Sequence, residues 1–338
     1  MIKSFIARRL GTLGALAAPH LVTLCAIALP TPALAQPWPD RPVRLVVPFP
    51  AGGAVDIAAR LVAQALADQP ALRGQAVVVD NRAGASGSIG SQSVARAPAD
   101  GLTLLFATGS THGTNPAVTA HLPYDPIRDF APVILVASTP YLLLVHPSVP
   151  VRNLAELLAL ARERPGQLNY ASYGSGSSNH LATELLRART GIDIVHVPYK
   201  GGAPAIADLV AGQVQILLDV WSSSGGHVTA GRMRLLAVAS ARRPAFAPET
   251  ATVSESGVTG YSAGTFYAVL TTAGTSPARI AILNEGLNRA LEQPELRARL
   301  LAQGAEPAGG GPEQLASRIA EEITTWRTLV KTRGLVFD

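Results

Sequence analysis

The sequence alternates short runs of apolar, β-favouring residues with segments that have helical spacing. Val43 to Pro48 reads as a buried strand, and after Gly52 and Gly53 the apolar residues at 55, 58, 59, 62, 65 and 66 recur with the period of a helix. The same patterns predict strands at 77–80, 103–108, 133–137, 141–146, 168–171, 193–198, 215–218, 235–240 and 265–272, and helices at 88–97, 153–164, 181–190 and 204–211. Strands joined by single helices are typical of parallel sheets with right-handed crossovers, so the alternation predicts an α/β fold.

The last part of the chain breaks this alternation. Three helices are predicted at 277–292, 295–301 and 312–331 with almost no strand between them, which fits elements that return to cover an earlier domain. A chain of 338 residues also exceeds the usual size of a single core. We therefore predict a discontinuous first domain, 36–140 plus 265–338, and an inserted second domain, 141–264. Crossings near Tyr141 and Thr265 would form a hinge between them.

The first 35 residues have the pattern of a cleavable secretory signal peptide. Lys3, Arg8 and Arg9 precede an uncharged run, and Ala33-Leu34-Ala35 supplies a small-residue cleavage pattern before Gln36. A membrane anchor is the less favoured interpretation, because Gly14, Pro19 and His20 interrupt the run. A cleavable signal peptide predicts that the rest of the chain, from residue 36 onward, is exported to the periplasm.

The charge of the remaining chain does not indicate nucleic-acid binding. The whole sequence has a formal net charge of +5, but the predicted leader contains three of the basic residues and the only Cys. What remains is nearly balanced in charge, and its basic residues are dispersed without interleaved aromatic residues, so no nucleic-acid partner is predicted.

Glycine-rich or hydroxyl-rich turns follow several predicted strands and lead into predicted helices. They lie at 49–56, 84–90, 108–115, 173–180 and 199–204. In open α/β sheets, ligands bind beyond the carboxyl ends of the strands, and helix N-termini attract anions through free N–H groups. Any one such turn is more often only a tight turn with an N-cap. Their repetition on both predicted domains favours a small-anion site that needs no Arg or Lys.

Enzymatic and metal sites find less support. Gly260 to Gly264 matches the GxSxG nucleophile pattern, but loop residues precede it and a strand follows, whereas that elbow stands between a strand and a helix. No dinucleotide or P-loop pattern is complete, so no cofactor is predicted. Histidines 112, 121, 146, 180, 196 and 227 lack metal-ligand spacing, so no metal is predicted either. His180 is expected to donate to a backbone group or cap its helix. An exported serine hydrolase using Ser262 or Ser177 remains the alternative from another class.

The turns and several other stretches together resemble a known family. These stretches are 45–49 with the following glycines and Asp56, 81–90, 122–126 with 129–130, 169–172 with its glycine-serine loop, and 196–202. They are similar, in order, to the exported substrate-binding proteins of tripartite tricarboxylate transporters, the Bug family. The resemblance runs from Trp38 to the helix that contains Trp326.

The resemblance implies a type II periplasmic-binding-protein fold, with two α/β domains, a ligand cleft between them and two hinge crossings. It implies a receptor, not an enzyme, that holds a small carboxylate through backbone N–H groups, hydroxyls and water. The partner would be a set of membrane permease subunits, or alternatively a membrane sensor, and the receptor would be a monomer. The ligand-binding residues carried over are Phe49, Ala51, Gly52, Gly53, Asp56, Ser110, Thr111 and Asn115 from the first domain, and Tyr173, Gly176, Ser177, His180, Asp219 and Trp221 from the second.

Individual residues qualify this expectation. Asp56 stands near a helix start and is expected to fix its loop more than to touch an anion. Ala54 and Val55 replace a glycine and a threonine that many relatives have, and Trp221 replaces a small residue. Trp221 could stack on an aromatic ligand or simply pack, and Asp219 could pair with a ligand ammonium or donate when protonated. The ligand thus stays open between di- or tricarboxylates, amino acids and aromatic acids.

Overall fold

Two β-sheets organise the computed structural model, which describes residues 38–337. The strands are β1 (Val43–Val47), β2 (Val77–Asn81), β3 (Thr103–Thr108), β4 (Phe130–Pro140), β5 (Leu142–Val145), β6 (Asn169–Ser172), β7 (Val195–Pro198), β8 (Ile216–Asp219), β9 (Arg234–Val238), β10 (Gly264–Thr272) and β11 (Glu306–Pro307). The α-helices are α1 (Ala54–Ala67), α2 (Ser88–Ala95), α3 (Asn115–Val118), α4 (Leu154–Glu163), α5 (Ser178–Thr190), α6 (Gly202–Val210), α7 (Trp221–Thr229), α8 (Pro277–Glu292), α9 (Pro294–Ala302) and α10 (Pro312–Arg333). Single 3-10 turns lie at Pro70–Leu72 and Ala85–Gly87, and a π-helical turn at Ser110–Thr114. The predicted signal peptide, 1–35, lies outside the described residues.

The first sheet has the order β11-β4-β10-β3-β1-β2 and is covered on both faces. Leu45 and Leu104 point to one face, where α1, α8 and α9 pack, and Val46 and Leu105 point to the other, where α2 and α10 pack. Burial on both faces explains why 45–47 of β1 and 104–107 of β3 are apolar without alternation. Each fully buried Leu or Val contributes about 1.5–3 kcal/mol relative to an exposed one.

The second sheet has the order β7-β6-β8-β5-β9. Helices α4 and α5 cover one face and α6 and α7 the other, around side chains such as Leu143, Leu157 and Leu217. Helix α4 begins as predicted, because the Asn153 side chain accepts a hydrogen bond from the Glu156 N–H at 2.9 Å, and Glu156 accepts one from the Arg152 N–H.

The prediction of parallel sheets is correct for only part of each sheet. Strands β1, β2 and β3 are parallel, as are β6, β7 and β8, where single helices connect neighbouring strands. Strand β10 runs antiparallel to β3 and β4, and β5 runs antiparallel to β8 and β9. The chain reaches β5 and β10 directly from the other sheet, so no crossover helix makes either strand parallel to its neighbours.

Besides the one-turn helix α3, two elements escaped the sequence analysis. Helix α7 has three serines and two glycines in nine residues, which hide its period. Strand β11 is only two residues long and includes Pro307. Both elements turn out to border the passage between the sheets.

The chain passes between the sheets twice, as predicted near Tyr141 and Thr265. It leaves the first sheet through Pro140 and Tyr141, and it returns from the second sheet to the first through 239–263. The crossings are hydrogen-bonded to each other, from the Tyr141 N–H to the Ala263 carbonyl at 3.1 Å and from the Ala239 N–H to the Tyr141 carbonyl at 2.8 Å. Both sheets belong to one compact unit that begins at Trp38, so the division into two domains stays a prediction. Within residues 38–337, no helix combines the length and apolar character needed to cross a membrane.

Candidate functional site

Helix starts collect at the carboxyl ends of the parallel strands. Four of the five predicted turns run directly into a helix N-cap, at Gly53, Gly87, Ser177 and Gly201, and the fifth forms the π-helical turn after β3. Helix α7 adds a further N-terminus after β8, with Val220 as its N-cap. Such ends present free N–H groups and a partial positive charge. The arrangement can therefore hold an anion with backbone donors.

The loop from Phe49 to Asp56 is held by a buried carboxylate. Asp56 accepts hydrogen bonds from the Gly52 N–H at 2.8 Å, from Arg60 Nε at 2.9 Å and from Asn81 Nδ2 at 2.9 Å. Burial acts to raise the pKa of Asp56, but these hydrogen bonds outweigh it and hold the pKa below its usual value. Asp56 thus has the loop-fixing role expected from the sequence.

The backbone of this loop stays accessible. Ala51, Gly52 and Gly53 are exposed, and Gly52 adopts a φ of +81°, which favours glycine. Asn81 also donates to the Phe49 carbonyl at 3.1 Å, which ties the loop to the end of β2. The loop can thus offer its backbone to a ligand while its polar side chains hold it in shape.

The turn after β3 uses its side chains internally. Thr111 is fully buried, and its hydroxyl donates to the Thr108 carbonyl at 3.1 Å. Asn115 donates to the Ser86 carbonyl at 2.9 Å, which joins this turn to the one before α2. Ser110 alone of the three predicted ligand residues here is partly exposed. In this structure Thr111 and Asn115 therefore brace the turn, which the sequence did not predict.

The loop between β6 and α5 is closed by its own hydrogen bonds. The Ser177 hydroxyl lies 2.6 Å from the Gly174 carbonyl and 2.8 Å from Asn179 Oδ1, which also accepts from the Tyr173 N–H at 3.2 Å. Asn179 is a loop-fixing residue that the sequence analysis missed, although it stands next to His180 in a turn that was singled out. Ser177 remains partly exposed and Gly176 has a φ of +77°.

The expectation that His180 donates to a backbone group is not met at Nδ1, and its contact with the backbone lies just before the start of its helix. Its Nδ1 accepts a hydrogen bond from the Gly176 N–H at 3.1 Å, so this nitrogen carries no proton. Burial lowers the pKa of His180, which keeps the ring neutral and able to accept.

The ring of His180 belongs to a stack of three rings. Its ring centroid lies 3.9 Å from that of His196, and the His196 centroid lies 4.9 Å from that of Tyr170. Burial, with the neighbouring His180, lowers the pKa of His196 to about 4. Only a three-dimensional arrangement brings these rings together, since they come from β6, α5 and β7.

Asp219 does not present a free carboxylate to a ligand. Its side chain is fully buried, one oxygen accepts from the Tyr173 hydroxyl and the other from the Ser224 hydroxyl. Burial raises the pKa of Asp219, although both hydrogen bonds oppose this. Asp219 therefore holds Tyr173 and the first turn of α7 in place. The idea that it pairs with a ligand ammonium has no support in this geometry, because the carboxylate is fully buried and each oxygen already accepts a hydrogen bond from the protein.

Trp221 packs against protein in this structure. Its ring centroid lies 5.1 Å from that of Phe246, and a Cβ built on Gly304 would stand 2.4 Å from the Trp221 Cβ. Of the two interpretations from sequence, packing is the one that the contacts favour. The contact also joins α7, on the second sheet, to the segment between α9 and β11, on the first.

The residues of the alternative hydrolase are not arranged for nucleophilic catalysis. Ser262 lies in the loop before β10, without the strand-turn-helix context of a nucleophile elbow. Ser177 is bonded to its own loop while His180 accepts from Gly176. Among residues 38–337, no group of three or more His, Cys, Asp or Glu is placed to hold a metal ion.

Known proteins of one family are similar to this chain over most of its length. The sequence profile described as "Tripartite tricarboxylate transporter family receptor" matches residues 58–335. The chain is 36% identical over 314 residues to the protein BugT of Bordetella pertussis, covering 93% of this chain and 95% of that protein.

Solved structures are similar over most of the chain. A protein of R. palustris determined with adipate is 40% identical with a TM-score of 0.78, covering 88% of this chain and 99% of that one. MatC from Rhodopseudomonas palustris, determined with bound malate, is 33% identical with a TM-score of 0.73, covering 86% and 99%.

Proposed function

Because the chain belongs to the tripartite tricarboxylate transporter receptors, the family of the Bug proteins, we propose that it captures a small carboxylate and delivers it to a membrane permease. The observation that carries the proposal is the set of helix N-termini at the carboxyl ends of both sheets, held in shape by internal hydrogen bonds. Two relatives with this fold bind adipate and malate, both dicarboxylates.

The preferred ligand is a plain dicarboxylate. An amino acid would bring an ammonium group, and both oxygens of the buried Asp219 are already engaged. An aromatic acid would need a free ring to stack on, and Trp221 packs against Phe246 and Gly304. A carboxylate needs only donors, and the exposed backbone N–H groups of Ala51 and Gly53 supply them, since the Gly52 N–H already donates to Asp56.

Binding is proposed to close two lobes. One lobe consists of 36–140 plus 265–338 and the other of 141–264, with the paired crossings at Tyr141 and Ala263 as the hinge. The leader, 1–35, would direct the protein to the periplasm. In this proposal the protein makes and breaks no covalent bond, and its binding energy goes into closure.

A screen of carboxylates by thermal shift and calorimetry tests the proposal. We expect adipate or malate to stabilise the protein, by about 4 kcal/mol at 1,000 times the dissociation constant, and glutamate and benzoate to have less effect. Absence of stabilisation by every carboxylate would remove the basis for a receptor of this class. Ligand-dependent pull-down of permease subunits, and not of a sensor domain, is the result expected for the delivery step.

A further inference from the structure

A pocket of about 230 Å³ lies where the chain crosses between the sheets. It is lined by 138–140 of the first crossing, by 239–242 and 262–265 of the second, and by Glu306 and Arg318. None of the residues predicted to bind the carboxylate ligand lines it. The pocket therefore shares no lining residue with the candidate carboxylate site, although Thr265 in its lining accepts a hydrogen bond from the Gly109 N–H beside Ser110.

Two guanidinium groups face this pocket with donors to spare. Arg318 pairs through Nη2 with Glu322 at 2.6 Å, but its Nε is buried and finds no acceptor among residues 38–337. Arg242 is 85% exposed, and its Nη2 stands 4.0 Å from Glu306 Oε2. Each guanidinium carries five N–H donors and no acceptor. The Arg318 Nε is too buried to reach a bound group, but within residues 38–337 Arg242 donates no side-chain hydrogen bond and Arg318 donates only through Nη2, so their other exposed N–H groups are available.

The one carboxylate in the pocket is partly engaged elsewhere. Glu306 Oε1 accepts from the Ala245 N–H at 3.3 Å, which leaves Oε2 as the weak partner of Arg242. Ser138 and Ser262 line the same space. The Ser240 hydroxyl donates to the Arg242 carbonyl at 2.6 Å and shapes the segment that carries this arginine. Among the lining residues two arginines stand against one glutamate, while Glu322, which pairs with Arg318, lies outside the lining.

We propose that this hinge pocket binds a small multivalent oxyanion, of the carboxylate or phosphate kind, between Arg242 and Arg318. Guanidinium groups suit the planar and tetrahedral oxygens of such anions, and hydrogen bonds to a charged acceptor are the stronger ones. Both crossings line the pocket, so its shape depends on the angle between the lobes. This step rests on the proposed function, in which the lobes close around the cleft ligand. Because closure changes the shape of the pocket, the oxyanion and the cleft ligand change each other's affinity by the same factor.

Inorganic phosphate is the probe for the first test, with calorimetry on the purified protein at low ionic strength and no dicarboxylate present. We expect saturable binding that Arg242→Ala weakens about tenfold or more and that Arg242→Lys weakens less. Arg232→Ala removes an equally charged, exposed side chain outside the pocket and serves as the matched control. Citrate in place of phosphate distinguishes the two kinds of oxyanion.

Several results would overturn the site. They are no saturable binding of either anion, equal affinity in wild type and Arg242→Ala, or loss of phosphate binding in a cleft variant such as Ser177→Ala. Because this titration contains no dicarboxylate, it remains interpretable if the proposed receptor function fails. In a second titration, saturating phosphate should change adipate affinity by about fivefold or more in wild type and not in Arg242→Ala. Unchanged adipate affinity in wild type would exclude the link to closure.

Discussion

Asp56 shows how one buried residue can hold the shape of a candidate binding loop. Its carboxylate is buried, yet it accepts three hydrogen bonds, one from the loop backbone and two from Arg60 and Asn81. A buried charge is tolerated only when it is paired in this way. The loop glycines therefore keep their backbone exposed because Asp56 fixes the segment from inside.

Asp56→Asn should destabilise the protein by about 1.5–3 kcal/mol, because the neutral amide loses charge-assisted hydrogen bonds and leaves Arg60 without its ion pair. Urea unfolding followed by circular dichroism measures the loss. Asp68→Asn, at the exposed C-cap of the same helix, is the matched control and should be close to neutral. Equal stability of both variants would show that Asp56 does not hold the loop.

Ser177→Ala should weaken carboxylate binding by about 0.5–2 kcal/mol. Ser177 is the N-cap residue of α5, its hydroxyl donates to the Gly174 carbonyl within the loop, and the residue remains partly exposed. Calorimetry with the best dicarboxylate from the screen gives the affinity. Ser175→Ala, an exposed neighbour in the same loop, is the control. An unchanged affinity in Ser177→Ala would place this hydroxyl outside the ligand contacts.

At the scale of elements, the ring stack between α5 and β7 makes stability depend on pH. An unfolded histidine has a pKa of about 6.5, whereas burial lowers the pKa of His196 to about 4 in the fold. Protonation between these values favours the unfolded chain. The contribution of His196 is thus complete above pH 6.5 and is lost as the pH falls from 6.5 to about 4. His112, fully buried with a pKa lowered to about 3, acts in the same direction.

His196→Gln should make the free energy of unfolding less dependent on pH between 7.5 and 5, since the variant keeps a polar partner for Ser172 but cannot take up the proton. Urea titrations at both pH values measure this difference. His121→Gln, at an exposed position, should keep the wild-type dependence. The same dependence in His196→Gln as in wild type would assign the effect to other groups.

Local patterns predicted most elements, because a helix or strand with one buried face shows its period in the sequence. The bounds of β1, β3, α1 and α8 agree with the prediction to within a residue or two. Strand direction was predicted correctly only where a helix connects neighbouring strands. Helix α7 was missed because its glycines and serines carry no apolar period, and its position is decided by the packing of Trp221.

The candidate site was predictable as a set of turns but not in its internal contacts. The positions of Gly52, Gly53, Ser177 and Gly201 followed from turn chemistry. One partner of Asp219, Tyr173, lies 46 positions away, and the partner of His180 lies in the preceding turn. No spacing rule specifies such contacts. A sequence can therefore show where a loop stands while its hydrogen bonds depend on the whole fold.

At the scale of the whole molecule, the contact between Trp221 and Gly304 sets how closely α7 approaches the first sheet. Gly304 has a φ of +70°, and a Cβ there would stand 2.4 Å from the Trp221 Cβ, closer than real atoms come. Gly304→Ala must therefore push α7 away or displace the segment before β11. Two costs add: the left-handed backbone, about 1–2 kcal/mol, and the overpacking, about 1–3 kcal/mol.

Gly231→Ala separates these two costs, because Gly231 has nearly the same φ, +68°, with nothing within 4 Å of its added Cβ. We expect Gly304→Ala to lower the free energy of unfolding by about 1–3 kcal/mol more than Gly231→Ala does. If the lobes close around a ligand, Gly304→Ala should also change dicarboxylate affinity, since the displaced α7 moves the helix N-terminus after β8, whereas Gly231→Ala should not. Equal stability loss in the two variants would mean that the segment before β11 yields freely, and that Trp221 does not fix the distance between α7 and the first sheet.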